Sequence, residues 1–370
     1  MKISIATNFD SALIDGVKDY GVTNLFGKLT DDFVGGGLET DLLNNIDKEK
    51  IAGHVAYAHK NGITMNYTFN SPCLANDEYT IHGKKELANL LDWISEIGVD
   101  SITVSIPVVM RYVKKYYPNL QVKVSSSVCV DSVAKAKRWE EMGADCIVLD
   151  PMVINRDFEV LKAIREAIPI DLELIVNNNC MYECPFLTYH QSFMGHSSRG
   201  DDKEKPDFDY CYLNCSYKRV SAPVNYLISD IIRPEDLKFY EEIGYDNFKI
   251  IDRATPTSVM INRVKAYYHR YFDGNLLELI QHYGYRDMAE PEEFINNIYI
   301  DNRKLDGYFD RFRKEKCLRT NCGSKCTYCY NYAKKAITIN PQFQKHVMEK
   351  VSQAIEQVEN FGSSQALVRG

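Results

Sequence analysis

The 370-residue chain has no excess of positive charge: 44 Lys and Arg stand against 51 Asp and Glu, a net charge of -7. A general grip on a nucleic-acid backbone needs a basic surface, so only a local basic patch could serve that purpose. No apolar run approaches the roughly 20 residues of a membrane-spanning helix. The opening stretch MKISIATNFDSALIDG is interrupted by Thr7, Asn8 and Asp10 and lacks the apolar centre of a signal peptide. The expectation is a cytoplasmic chain with no membrane partner, in a compartment that keeps thiols reduced. No GxGxxG follows an early strand, so a dinucleotide-binding sheet lacks its fingerprint. HExxH is missing as well, and with it the signature of a zinc metalloprotease.

What is present is a recurrent punctuation. A helical stretch ends at Gly, an Asp follows within two residues, and a β-rich run begins. This occurs at Gly98-Val99-Asp100, Gly143-Ala144-Asp145 and Gly244-Tyr245-Asp246, with weaker copies at Gly21 and Gly62. Glycine caps a helix C-terminus in the left-handed conformation, and the apolar run after it reads as a parallel strand covered on both faces. The predicted strands begin at KISIAT, TNLFG, ITMNYT, SITVSI, QVKVSS, CIVLD, LELIVN and FKIID. Eight strands in βα order predict a (β/α)8 TIM-type barrel over about residues 1–275; an open doubly wound sheet is the alternative. The longest gap between strands, about residues 178–232, is an insertion after strand seven, on the face where such barrels carry their sites. A C-terminal Cys-rich extension with a final amphipathic helix is expected over 276–361, and a disordered tail over 362–370.

Eleven cysteines in a reducing compartment read first as metal ligands or reactive thiols. Cys180-x3-Cys184 and Cys211-x3-Cys215 lie in the insertion. Cys317-x4-Cys322-x3-Cys326-x2-Cys329 lies in the extension. Each group offers four thiolates, the usual complement of one iron–sulfur cluster, and structural zinc is the competing metal. One or two [4Fe–4S] clusters are therefore expected. Cys322-x3-Cys326-x2-Cys329, with Tyr328 before the last Cys, also has the spacing of a radical S-adenosylmethionine motif. It stands after the last strand rather than the first, and Cys317 supplies a fourth ligand. Cys146 reads as core. Cys73 and Cys129 stand near strand ends and read as small buried side chains or as neighbours of the site.

Residues just past barrel strands face the site. Asn8, Asn66, Asn70, Ser126, Ser127, Asp150, Asn177, Asn178, Asp252 and Arg253 occupy such positions. Arg253 is suited to clamp a carboxylate or phosphate, or to pair with Asp150 or Asp252. Asn177 and Asn178 are candidates for substrate contact or for a turn. His190 is the candidate acid–base group. Lys218-Arg219, near Cys215, reads as a solvated pair or as a counter-charge to a cluster.

The segments NSPCLANDEYT, LLDWISEIGVDSITVSIP, AKRWEEMGADCIVLDPMVINRDFEVLKAIREAIP, LELIVNNNCMYECPFLTYH and IRPEDLKFYEEIGYDNFKIIDR resemble the collagenase-like peptidase family of unassigned type, number thirty-two (U32). The resemblance covers about residues 1–275 and is strongest at Asn-Asn-x-Cys-x-x-x-Cys-Pro. Despite the peptidase label, it implies an oxygen-independent hydroxylase of tRNA, ribosomal RNA or a quinone precursor. It implies a [4Fe–4S] cluster too, with prephenate as oxygen donor in some members. Cys180 and Cys184 match the first two ligands, and Cys211 and Cys215 are the natural remaining pair. Ligand spacing departs from the hydroxylases, and the group at 317–329 is an addition, so the substrate does not transfer. The expected function is an iron–sulfur oxidoreductase acting on an unidentified small molecule, peptide or RNA, with an electron donor or partner subunit. His190, Asn177, Asn178, Arg253 and Asp252 are its expected catalytic residues. A U32-type peptidase, a radical enzyme, an electron-transfer subunit and a zinc-binding structural protein remain alternatives.

Overall fold

The computed structural model describes residues 1–37, 46–199, 209–280, 291–317 and 320–360. The expected tail at 362–370 and part of the insertion, 200–208, lie outside the described residues. Eight parallel strands close into a barrel in sequence order. They are β1 (Lys2–Ala6), β2 (Val22–Gly27), β3 (Thr64–Phe69), β4 (Ser101–Val104), β5 (Gln121–Val124), β6 (Cys146–Val148), β7 (Asp171–Ile175) and β8 (Asn247–Ile250). Pairing of β1 with β8 completes the ring, which excludes the open sheet.

The Gly-x-Asp punctuation has a physical basis. Gly143 (φ 101°) and Gly244 (φ 91°) adopt the left-handed backbone that ends a helix and turns the chain back toward the sheet. The Asp then ties the new strand to its neighbour: Asp100 accepts the Met65 N–H at 2.7 Å, and Asp145 accepts the Val122 N–H at 2.7 Å.

The barrel interior is not wholly apolar. Glu173, fully buried, accepts hydrogen bonds from Ser4 at 2.5 Å, Lys123 at 3.4 Å and Lys249 at 3.2 Å. Burial opposes its charge, but Lys123 and Lys249 outweigh that penalty and bring Glu173 to about 2. Asn66 belongs to this interior as well. It is fully buried, donates to Ser101 and accepts from Thr103, so it lies below the mouth rather than at it.

The insertion folds into helices Leu187–Ser197, Tyr210–Ser221 and Asn225–Ile228. Beyond the barrel, β9 (Ile298–Ile300) and β10 (Ile337–Ile339) form an antiparallel pair. The final helix, Pro341–Glu359, packs along helix Tyr210–Ser221. Gln344 donates to the Val220 carbonyl at 2.7 Å, and Tyr210 donates to Glu359 at 2.7 Å. Arg233, buried, reaches the Asn302 carbonyl at 2.8 Å and Asp236 at 2.7 Å. One continuous apolar core thus runs from the barrel into the extension. No helix among the described residues is long and apolar enough to cross a membrane.

Candidate active site at the barrel mouth

A cavity of about 190 Å³ opens at the C-terminal ends of the strands. Asn70, Ser125, Ser126 and Ser127 line one side. Asn178, Cys180, His190, Lys249, Asp252 and Arg253 line another. Concave sites in this fold class form here because the strand ends deliver side chains from separate loops to one place.

Arg253 is the dominant charge. It is 8% exposed, and its Nη1 has no hydrogen-bond partner. Burial lowers its pKa to about 10, against the pull of Tyr67 and Asp32. It pairs with neither expected carboxylate. Asp252 is bound instead to Arg263 at 3.2 Å and to the Thr255 hydroxyl. Asp150 caps the Met152 N–H at 2.8 Å. Asn178 is also unsatisfied: its Oδ1 accepts the Cys180 N–H at 3.1 Å, while its buried Nδ2 has no partner. A buried cation and a buried amide donor, both open toward a cavity, suit an anionic oxygen ligand.

Asn177 has a different role. Its amide donates to the Ile251 carbonyl at 2.9 Å and accepts the Ile251 N–H at 2.8 Å, extending the β7–β8 pairing beyond the strands. Both polar ends are thereby used. Asn8 likewise donates to Thr257 at 2.9 Å.

His190 shares a hydrogen bond of 2.5 Å with Asp209. Asp209, absent from the sequence expectations, also caps helix Tyr210–Ser221 by accepting the Tyr212 N–H at 3.0 Å. A single carboxylate therefore orients the histidine and starts the helix that carries Cys211 and Cys215. These two cysteines lie one turn apart. The charges of Cys184, Cys215 and Asp209 act on Cys211, and burial above all pushes its thiol up to about 12. Burial also raises the Cys215 thiol, although Arg219 donates to its Sγ at 3.6 Å. Arg219 is 1% exposed, so the solvated-pair expectation holds for exposed Lys218 and fails for Arg219. A residue four positions after a helical Cys lands on the same face.

The remaining cysteines separate clearly. Cys146 is buried in β6, and burial pushes its thiol up to about 12. Cys73 and Cys129 are half-buried and do not line the cavity. Cys317, Cys322, Cys326 and Cys329 together line a second, much smaller cavity of about 20 Å³. Among the described residues, no three His, Cys, Asp or Glu side chains stand close enough to share one metal ion.

A (β/α)8 barrel with its cavity at the strand ends and cysteines in the loop after β7 defines a class of barrel enzymes. The profile of peptidase family U32 matches residues 41–290, and the chain belongs to that family. It is 33% identical over 308 residues to the uncharacterized protease MJ1657 of Methanocaldococcus jannaschii, covering 83% of this chain and 87% of that one. It is 25% identical over 259 residues to the tRNA hydroxylation protein P1 of Bacillus subtilis, covering 63% of this chain and 57% of that protein. Among solved structures, the U32 peptidase Mk0906 shares the fold with a TM-score of 0.52 and 19% identity, over 69% of this chain and 94% of that chain.

Proposed function

We propose that the protein is an iron–sulfur oxidoreductase that hydroxylates or similarly modifies its substrate without molecular oxygen. What supports this reading is the cysteine-bearing loop at the mouth: Cys180 lines the cavity with His190, and Asp209, which binds His190, also caps the helix carrying Cys211 and Cys215. The donor set fits a cluster better than a single ion. Four thiolates on zinc must all stand about 2.3 Å from one point. Thiolates on a [4Fe–4S] cube bind different irons and stand further apart. Such a cluster, when bound, supplies one-electron transfer next to the substrate.

The chain's own residues supply the rest. Arg253 and Asn178 hold an anionic group of the substrate or co-substrate. His190, fixed by Asp209, accepts or delivers a proton at the cavity wall. Arg219, buried beneath Cys215, offsets negative charge on the cysteines. The similarity to a tRNA hydroxylation protein supports hydroxylation as the reaction type; a small molecule, peptide or RNA could each be the acceptor. A thiol-protease reading would need a nucleophilic cysteine with a depressed pKa, whereas burial raises the Cys215 thiol.

The test is iron and sulfide analysis of protein purified without oxygen, with electron paramagnetic resonance after reduction. Cys184→Ala and Cys215→Ala are expected to lose the mouth cluster and all activity. Zinc-loaded protein without iron would overturn the reading.

A further inference from the structure

The C-terminal cysteines belong to a part of the chain that the family profile, ending at residue 290, does not reach. Cys317, Cys322, Cys326 and Cys329 come from a 13-residue stretch, and all four line the same small cavity. Two donors point at their sulfurs. Arg311 Nη1 donates to Cys326 Sγ at 3.3 Å, and the Tyr308 hydroxyl donates to Cys329 Sγ at 3.2 Å. The turn itself is tight. The backbones of Cys322 and Cys326 pair in an isolated β-bridge, and Gly323 (φ 79°) sits so close to the Tyr330 ring that a Cβ there would approach its hydroxyl to 2.9 Å.

We propose that these four cysteines hold a second iron–sulfur cluster, closed to outside ligands, with Tyr308 and Arg311 as the side chains that set its potential. Four cysteines lining one cavity match the four thiolate ligands of one cluster. Hydrogen bonds to ligating sulfur stabilise the more negative, reduced state and so raise the potential. A fourth cysteine in the same cavity leaves no iron open, which separates this site from a radical S-adenosylmethionine centre.

Its place in the fold gives it a second consequence. The same Tyr308 hydroxyl lies 2.9 Å from the Leu227 carbonyl, a second acceptor for its one proton, and Ile228 lines the cavity. Arg156 reaches the same Leu227 carbonyl and contacts Tyr308 at 3.2 Å. The cluster site is therefore anchored on the insertion that carries Cys211 and Cys215. It does not depend on the chemistry assigned to the barrel mouth.

The experiment compares full-length, anaerobically purified wild type with Cys184→Ala, Cys326→Ser, Tyr308→Phe and Arg311→Gln. Wild type should hold about eight irons, and Cys184→Ala and Cys326→Ser about four each, as expected for two four-iron clusters. Tyr308→Phe and Arg311→Gln keep every ligand. Each should retain full iron while shifting one of two redox midpoints to a more negative value. Cys326→Ser guards against a folding artefact if it retains the signal of the mouth cluster. One zinc per chain, kept in Cys184→Ala and lost in Cys326→Ser, would overturn the cluster. Unchanged metal content in Cys326→Ser would overturn the site. Loss of the mouth cluster in wild type, with the second intact, would count against the function proposed above and not against this site.

Discussion

Cys180 lines a cavity of about 190 Å³, whereas the four C-terminal cysteines line one of about 20 Å³. Around the first lie Arg253, Asn178 and the His190–Asp209 pair, groups able to bind charge and move protons. Around the second lie Phe312, Tyr328 and Tyr308, with Arg156 held about 5 Å over the aromatic rings. Equal numbers of thiols thus serve unequal surroundings. One group has space for a substrate and the means to act on it. The other has a packed aromatic wall and hydrogen bonds from Arg311 and Tyr308 to its sulfurs. On this basis chemistry belongs to the mouth and a supporting electron or anchoring role to the extension.

The comparison breaks most directly through the ligands. Cys211→Ala is expected to abolish activity, while the iron of the C-terminal group stays in place, read by metal analysis and low-temperature magnetic resonance. Activity that survives Cys211→Ala but vanishes in Cys329→Ser would reverse the roles of the two regions.

Much of this contrast could be read in the sequence, and some could not. Gly-x-Asp punctuation and β-branched runs disclosed all eight strands, because parallel strands buried on both faces leave a continuous apolar signature. Several predicted ends ran a residue or two long: Ser125 and Val176 still donate to the neighbouring strand but lie past the regular ladder. Cysteine spacing identified both groups. Asp209 was invisible, since it closes the acidic run GDDKEKPDFD, which reads as solvated surface. Glu173, Lys123 and Lys249 were missed for a related reason. Charge inside a strand suggests an outward face, and only closure of the barrel brings three such residues together. Asn177 sits at the expected position and Asn66 below it, and the amides of both are consumed by barrel partners.

The barrel interior rests on buried charge, which gives the next largest effect. Glu173→Gln leaves Lys123 and Lys249 sharing a neutral partner. Breaking a buried pair in this way costs about 3–5 kcal/mol, measurable by chemical denaturation at neutral pH. The sign with pH follows from the lowered pKa. Glu173 titrates near 2 in the folded chain against 4.5 unfolded. Its stabilisation is complete above about 4.5 and is lost as pH falls toward 2, so wild type and variant should converge in acid. A constant difference down to pH 2 would show that the charge of Glu173 is not what holds the barrel floor.

Arg253→Met separates binding from stability. An ion bound to a charged hydrogen-bond donor loses about 1.5–3 kcal/mol when the donor goes, or about 10- to 100-fold in affinity. The fold should not weaken, because a buried cation with an unsatisfied Nη1 is itself a cost. Malonate is a suitable probe before the substrate is known, read as a rise in the melting temperature of wild type that Arg253→Met lacks. A variant that is much less stable, yet binds malonate as wild type does, would place Arg253 in the scaffold.

The smallest expected effect tests the link between the mouth and its cysteine helix. Asp209 does two things, capping helix Tyr210–Ser221 and holding His190. Asparagine caps as well as aspartate, whereas alanine does not, and loss of a cap costs about 1 kcal/mol. Asp209→Asn should therefore keep stability within about 0.5 kcal/mol of wild type and retain the mouth cluster. It still removes the carboxylate that orients His190, so turnover should fall while substrate affinity holds. Asp209→Ala should lose both, with turnover no lower than in Asp209→Asn once the protein is fully folded. Equal stability and equal turnover in Asp209→Asn and wild type would remove His190 from the chemistry and leave Asp209 as a helix cap alone.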